Sequence, residues 1–184
     1  MNGMHKAGIF LLCFSLLSQA GWNPCLADDD SHHGKDHRHP EKENKHHLAP
    51  VTNPVYKETC GACHFAYQPE LLPAASWQAI FNNPVDHFGE SLELDDASRN
   101  GIAEYVQANS ADKSGAKRAV KIMRSLGSGV PQRITAIPYI REKHHEIPAQ
   151  VFARPAIGSP ANCPACHKTA EQGIYDDDSV DIPR

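Results

Sequence analysis

The chain has 184 residues, 40% of them hydrophobic and 22% charged, with a formal net charge of -4. That length suits one domain, or one domain with a tail, and leaves no room for a large two-domain enzyme. A slightly acidic balance argues against a nucleic-acid binder, which would carry a basic face. The anomaly is the presence of twelve His and six Cys, which puts metal or haem chemistry first.

Residues 1–27 read as a cleaved secretory signal peptide. Lys6 is their only formal charge, Ile9 to Leu17 form an apolar run, and Cys25-Leu26-Ala27 offers small residues for cleavage after Ala27. The run is shorter than the roughly 20 apolar residues that span a bilayer. The alternative is an uncleaved anchor; the favoured expectation is a periplasmic protein that is not membrane-embedded after cleavage. Cleavage removes Cys13 and Cys25 and leaves Cys60, Cys63, Cys163 and Cys166. In an oxidising compartment four spare thiols would pair unless something occupied them.

Asp28 to His47 is a low-complexity segment with six acidic residues, four Lys or Arg and six His, and no aliphatic side chain. It cannot bury enough apolar surface to offset ordering entropy and is expected to be disordered. His32, His33, His37, His39, His46 and His47 could bind zinc, copper or nickel weakly, although composition favours a solvated spacer.

From Leu48 onward the pattern predicts short helices joined by Pro- and Gly-marked loops. Thr52-Asn53-Pro54 starts a helix that carries Val55, Tyr56 and Thr59 into Cys60. Ser76 is the expected N-cap of Trp77 to Asn82, which Pro84 stops. Asp95 or Asp96 caps a helix running to about Asn109, with Ile102, Tyr105 and Val106 on one face. Ser114 caps Gly115 to Leu126, whose apolar stripe is Ala119, Ile122, Met123 and Leu126, with Gly127 at its end. Pro138 to Glu146 holds one or two helical turns, and a last short helix ends at Gly173. Arg133-Ile134-Thr135-Ala136 is a weak strand pattern. Residues 48–184 offer few long apolar stripes, so the core would be thin without a large apolar group packed inside it.

Two motifs carry the chemistry: Cys60-Gly61-Ala62-Cys63-His64 and Cys163-Pro164-Ala165-Cys166-His167. On a helical turn positions i and i+3 share a face, with i+4 beside them. Two thiols can then add to the vinyl groups along one haem edge, and the following imidazole ligates the iron. CxxCH is the attachment signature of haem c. A zinc site built from the four Cys, or from the Cys and His of both motifs, does not explain why His follows the second Cys in both cases; a thioredoxin-like dithiol wants a βαβ setting, which is missing; and two local disulfides ignore the His. The expected fold is mainly α: a small c-type cytochrome with short helices and long loops packed around two covalent haems. Its cofactors are two haem c, with His64 and His167 as proximal iron ligands.

Each iron has a second axial position. The mature chain has one Met, Met123, placed on an apolar helix stripe and suited to core packing. The remaining His residues of the folded part are His87, His144 and His145, enough for bis-His ligation of both irons. His87 is the expected upstream distal ligand. His144 and His145 are neighbours pointing about 100° apart, and the residues alone leave both the choice between them and the pairing of distal His with haem open.

From about Pro50 to Arg184 the chain resembles the bacterial dihaem cytochrome c (DHC-type) family. Tyr56 before the first motif, Pro69-Glu70-Leu71-Leu72-Pro73, Ser76-Trp77, His87-Phe88-Gly89-Glu90, Arg133-Ile134-Thr135, Pro138-Tyr139, Ser159-Pro160-Ala161-Asn162-Cys163 and Ile182-Pro183-Arg184 carry the likeness. The resemblance implies a periplasmic electron carrier with two low-spin bis-His haems. It also implies His87 and His144 as distal ligands, with His145 the alternative to His144. The implied partners are a small high-spin monohaem cytochrome c that binds oxygen and a membrane cytochrome b. The His-rich 28–47 segment and the doubled His144-His145 depart from the family pattern.

Bis-His ligation leaves no open iron position, so an electron carrier without catalytic residues is the leading expectation. A small dihaem peroxidase or reductase would need one open iron and distal acid–base groups. Metal binding through the His-rich segment is a third possibility, and deleting 28–47 separates it from the others.

Overall fold

The computed structural model describes residues 46–184. The expected signal peptide, and all of the 28–47 segment except His46 and His47, lie outside the described residues. Leu48, where the folded part was expected to begin, is buried, and its amide donates to the Gly173 carbonyl at 3.1 Å.

Seven helices follow in order: α1 Pro54–Gly61, α2 Ala74–Asn82, α3 Asp96–Ala108, α4 Lys117–Leu126, α5 Pro138–Lys143, α6 Ala149–Phe152 and α7 Cys163–Cys166. Short 3-10 turns at Pro69–Leu71, Ala111–Lys113, Ile134–Ala136, Ala170–Gln172 and Asp177–Ser179 join them, and no strand occurs among the described residues. The predominantly helical expectation agrees with this.

Local chemistry explains where most helices begin. Asn53 caps α1 by accepting from the Tyr56 amide at 2.9 Å, with Pro54 in the first turn. Asp95 caps α3 by accepting from Ala97 and Ser98 at 3.0 Å each. Elsewhere the boundaries differ from expectation. Helix α2 starts at Ala74 rather than after Ser76, because Pro73 sets the backbone and Asp112, brought from the 3-10 turn, accepts the Ala74 amide at 2.7 Å. Ser76 is instead buried inside the helix. Helix α4 starts at Lys117, because Ser114 Oγ accepts from Ala116 while donating to Glu70. The 133–136 strand pattern is a 3-10 turn: its β-branched residues find no partner strand, and Ala136 donates back to Arg133. The last expected helix breaks after Cys166 into α7 and the separate turn that Gly173 terminates.

The core gathers Tyr56, Leu71, Leu72, Trp77, Ile80, Ile102, Val106, Ala119, Ile122, Ile137 and Tyr175. Helix α2 packs on α3, and α4 on α5. Buried polar groups are mostly satisfied. Gln68 donates to the Ala170 carbonyl and accepts from the Tyr175 hydroxyl, both at 2.6 Å, and Trp77 Nε1 donates to the Pro69 carbonyl at 2.9 Å. Gly173 adopts a left-handed φ of 75°, and a Cβ there would collide with the Leu48 carbonyl oxygen. The backbone crossing that closes the fold onto its first buried residue therefore needs glycine.

Candidate functional site

Helix α1 presents Cys60 and Cys63 in its last turn and just beyond, so His64 leaves the helix at its C-terminal end. The chain then doubles back, and His64 Nδ1 donates to the Phe65 carbonyl at 2.7 Å. A carbonyl only accepts, so Nδ1 carries the proton and the Nε2 lone pair is free for a metal.

His87 comes from a tight turn. Its amide donates to Glu90 at 2.7 Å, Glu90 donates back at 3.3 Å, and Asp86 Oδ1 accepts the Gly89 amide at 3.0 Å. Phe88 and Gly89, the two central residues, both have positive φ, 61° and 101°. For a bulky residue such as Phe88 this is a costly conformation, of a kind that collects at functional sites. It places the Phe88 ring 4.7 Å from His87 and beneath the Arg133 guanidinium, 3.9 Å away. Burial, then the neighbouring His64 and Arg133, lower the His87 pKa and favour the neutral imidazole that binds metal.

The second pair is built from α5 and α7. His144 closes α5: its amide donates to Arg141, and its Nδ1 donates to the Ile140 carbonyl at 2.7 Å. That bond satisfies an end carbonyl of the helix and again leaves Nε2 free. His167 follows α7 directly, its amide donating to Cys163 at 2.8 Å. Its ring packs against Tyr175 at 5.4 Å. Burial, then His144 and Arg118, lower its pKa, and its buried Nδ1 has no hydrogen-bond partner among the described residues.

The four expected His ligands thus come together in two pairs. His64 and His87 have ring centres 6.1 Å apart with planes at 29°, and His144 and His167 are also 6.1 Å apart, with planes at 75°. Two imidazoles bound to one intervening metal at about 2 Å each stand about 6 Å apart between ring centres. His145 takes a different position. Its Nδ1 donates to the Glu142 carbonyl at 2.6 Å, the Glu142 and Glu146 carboxylates lie 4.0 and 3.9 Å from its ring nitrogens, and its side chain is 60% exposed. Of the two neighbours it is His144 that stands opposite His167, and each pair joins a motif His to a His of its own half.

The donor set fits a macrocycle better than a bare ion. Among the described residues no group of three or more His, Cys, Asp or Glu could hold a metal ion. Each pair supplies two nitrogens on opposite sides, the share a porphyrin iron takes from a protein. The four Cys are unpaired, and burial pushes the Cys60 and Cys163 thiols up to about 11.

Reading the sequence missed three residues that connect the pairs. Tyr67 stacks on His64 at 5.3 Å, and Gln68 and Tyr175 link that region to His167. Tyr67 and Gln68 follow His64 by three and four positions, which was the available signal. Tyr175 gave none.

A sequence model of the dihaem cytochrome c family matches residues 56–175. Among solved structures, a dihaem cytochrome c from Rhodobacter sphaeroides is 42% identical, with a TM-score of 0.61 over 70% of this chain and 100% of that one. A dihaem cytochrome type c from Shewanella baltica OS155 is 37% identical, with a TM-score of 0.58 over 71% of this chain and 93% of that one. A further Rhodobacter sphaeroides structure is 38% identical, with a TM-score of 0.56 over 68% and 99%. No curated protein sequence matches the chain.

Proposed function

This chain belongs to the dihaem cytochrome c family, an electron-transfer family carrying two haem c, and from that premise we propose a periplasmic one-electron carrier whose two irons are each held between two histidines. Cys60 and Cys63 would attach one haem and Cys163 and Cys166 the other. His64 with His87, and His167 with His144, would be the axial pairs. The observation that carries this reading is the shared 6.1 Å spacing of the two pairs.

When bound, each haem supplies an iron that alternates between ferric and ferrous states. The chain's own residues bind and orient it. The Phe65 and Ile140 carbonyls fix two of the rings by holding Nδ1–H, which leaves Nε2 free to bind an iron. The His87–Glu90 turn sets a third ring, and Tyr175 packs on the fourth. Irons held in this way by two nitrogen donors each would leave no site for substrate to enter. His donors also favour a lower potential than a His/Met set.

The proposed site of action is the periplasm, consistent with the export reading of residues 1–27; no described helix is long and apolar enough to cross a membrane. The proposed partners are a small high-spin monohaem cytochrome that binds oxygen, as acceptor, and a membrane cytochrome b, as donor. Stopped-flow mixing tests the carrier reading. The reduced protein should pass its electrons to a monohaem acceptor in one-electron steps while showing no turnover of hydrogen peroxide. Sustained peroxide consumption would contradict it.

A further inference from the structure

Tyr67 touches both halves of the haem-binding machinery. Its ring lies on His64, 5.3 Å between centres and 29° between planes. Its hydroxyl donates to the Ala161 carbonyl, 94 residues away, at 2.6 Å. The same carbonyl oxygen is approached by Cys163 Sγ at 3.7 Å, and Cys163 is the first cysteine of the second motif. One side chain therefore spans from the proximal His of one motif to the attachment Cys of the other.

The side chain is also held in place. The Tyr56 hydroxyl donates to the Tyr67 carbonyl at 2.7 Å, and Phe65 meets the Tyr67 ring edge-on at 5.3 Å. A residue needed only to fill space would not have its hydroxyl aimed at the one carbonyl that Cys163 also approaches.

We propose that Tyr67 is the bridge through which an electron passes between the two haems, by ring contact with His64 at one end and through the Ala161 carbonyl beside Cys163 at the other. The inference rests on the axial and attachment assignments proposed above. One electron crosses: one iron is oxidised, the other reduced, and no bond forms or breaks, the phenol keeping its proton. Electron tunnelling decays less steeply through covalent and hydrogen-bonded atoms than through gaps, and this path has one ring stack, one short hydrogen bond and the 3.7 Å approach of Cys163 Sγ to the Ala161 carbonyl. The neighbouring route, from His167 through Tyr175 to Gln68, uses a hydrogen bond of the same length but reaches His64 only through additional backbone.

The test compares wild-type holoprotein with Tyr67→Phe, which keeps the ring and loses the hydroxyl bond, and with Tyr105→Phe as control, whose hydroxyl meets the Thr52 amide instead. A flash-generated one-electron reductant is supplied below stoichiometry, and freeze-quench EPR follows which haem holds the electron over time. Potentiometry checks that driving force has not changed. We expect exchange to slow several-fold in Tyr67→Phe at unchanged potentials, and to stay at the wild-type rate in Tyr105→Phe. Tyr67→Leu, which also removes the ring, should slow it further. Wild-type exchange in Tyr67→Phe, or equal slowing in both Phe variants, would overturn the bridge. Failure of the underlying assignments reads out separately: wild-type protein would then contain fewer than two haems by pyridine haemochrome, or a stoichiometric high-spin iron.

Discussion

His144 and His167 face each other 6.1 Å apart with their ring planes at 75°, whereas His64 and His87 keep the same spacing at 29°. The twist follows from the backbone each ring answers to: the Ile140 carbonyl at the end of α5 orients His144, and the Phe65 carbonyl orients His64. The orientation of axial imidazole planes decides which iron d orbitals they overlap, so haems held by these two pairs would be electronically inequivalent. A potentiometric titration should resolve two one-electron steps of different midpoint. Two indistinguishable steps would mean that exposure and charge cancel the difference in ligand geometry.

Substitution separates the adjacent histidines. His144→Ala should convert one haem to a high-spin or ligand-exchanged form, visible as a new charge-transfer band and as CO uptake on reduction. His145→Ala should leave the spectrum unchanged, because His145 faces solvent and two carboxylates. Equal spectral effects of both changes would remove His144 from the iron.

Gly173 is expected to tolerate no side chain. Its left-handed backbone and the collision an added Cβ would make with the Leu48 carbonyl oxygen mean that Gly173→Ala should cost about 2 kcal/mol or more. Denaturant unfolding of the holoprotein measures this.

Lys143 and Asp177 tie the end of α5, next to His144, to the turn after Tyr175 through a 2.6 Å ion pair. The Lys143 ammonium holds the Asp177 carboxyl below its ordinary value of 3.8. A depressed carboxyl contributes stability above its unfolded pKa and loses that contribution as pH falls through the folded one. Both side chains are exposed, so the pair contributes only about 0.5 kcal/mol. Asp177→Asn should lower stability by that amount at neutral pH and leave the variant equal to wild type once the pH is below both pKa values.

The two CxxCH motifs and three of the paired histidines, His64, His87 and His167, were legible in the sequence because CxxCH couples residue type to spacing, and because so few other His residues remain between Leu48 and Arg184; the residues left His144 and His145 open, and only the family resemblance favoured His144. The N-caps Asn53 and Asp95 were legible for the same reason: the capping residue and the capped amides lie within one turn. What stayed hidden depends on contacts distant along the chain. Asp112 accepts the Ala74 amide from 38 positions away and moves the start of α2 ahead of Ser76. Ser114 is drawn to the buried Glu70, 44 positions away, and α4 begins later than a local cap would dictate. The pairing of His87 with His64 and the role of Tyr67 likewise required three-dimensional neighbours.

Low-temperature EPR of the oxidised protein, with haem counted by pyridine haemochrome, tests the proposed ligation most directly. Two haems per chain should give two low-spin ferric signals. One should be rhombic, from the near-parallel His64–His87 pair, and one strongly anisotropic, from the near-perpendicular His144–His167 pair, with no stoichiometric high-spin iron. A high-spin signal equal to one haem, taking up CO on reduction, would contradict it and identify an open iron.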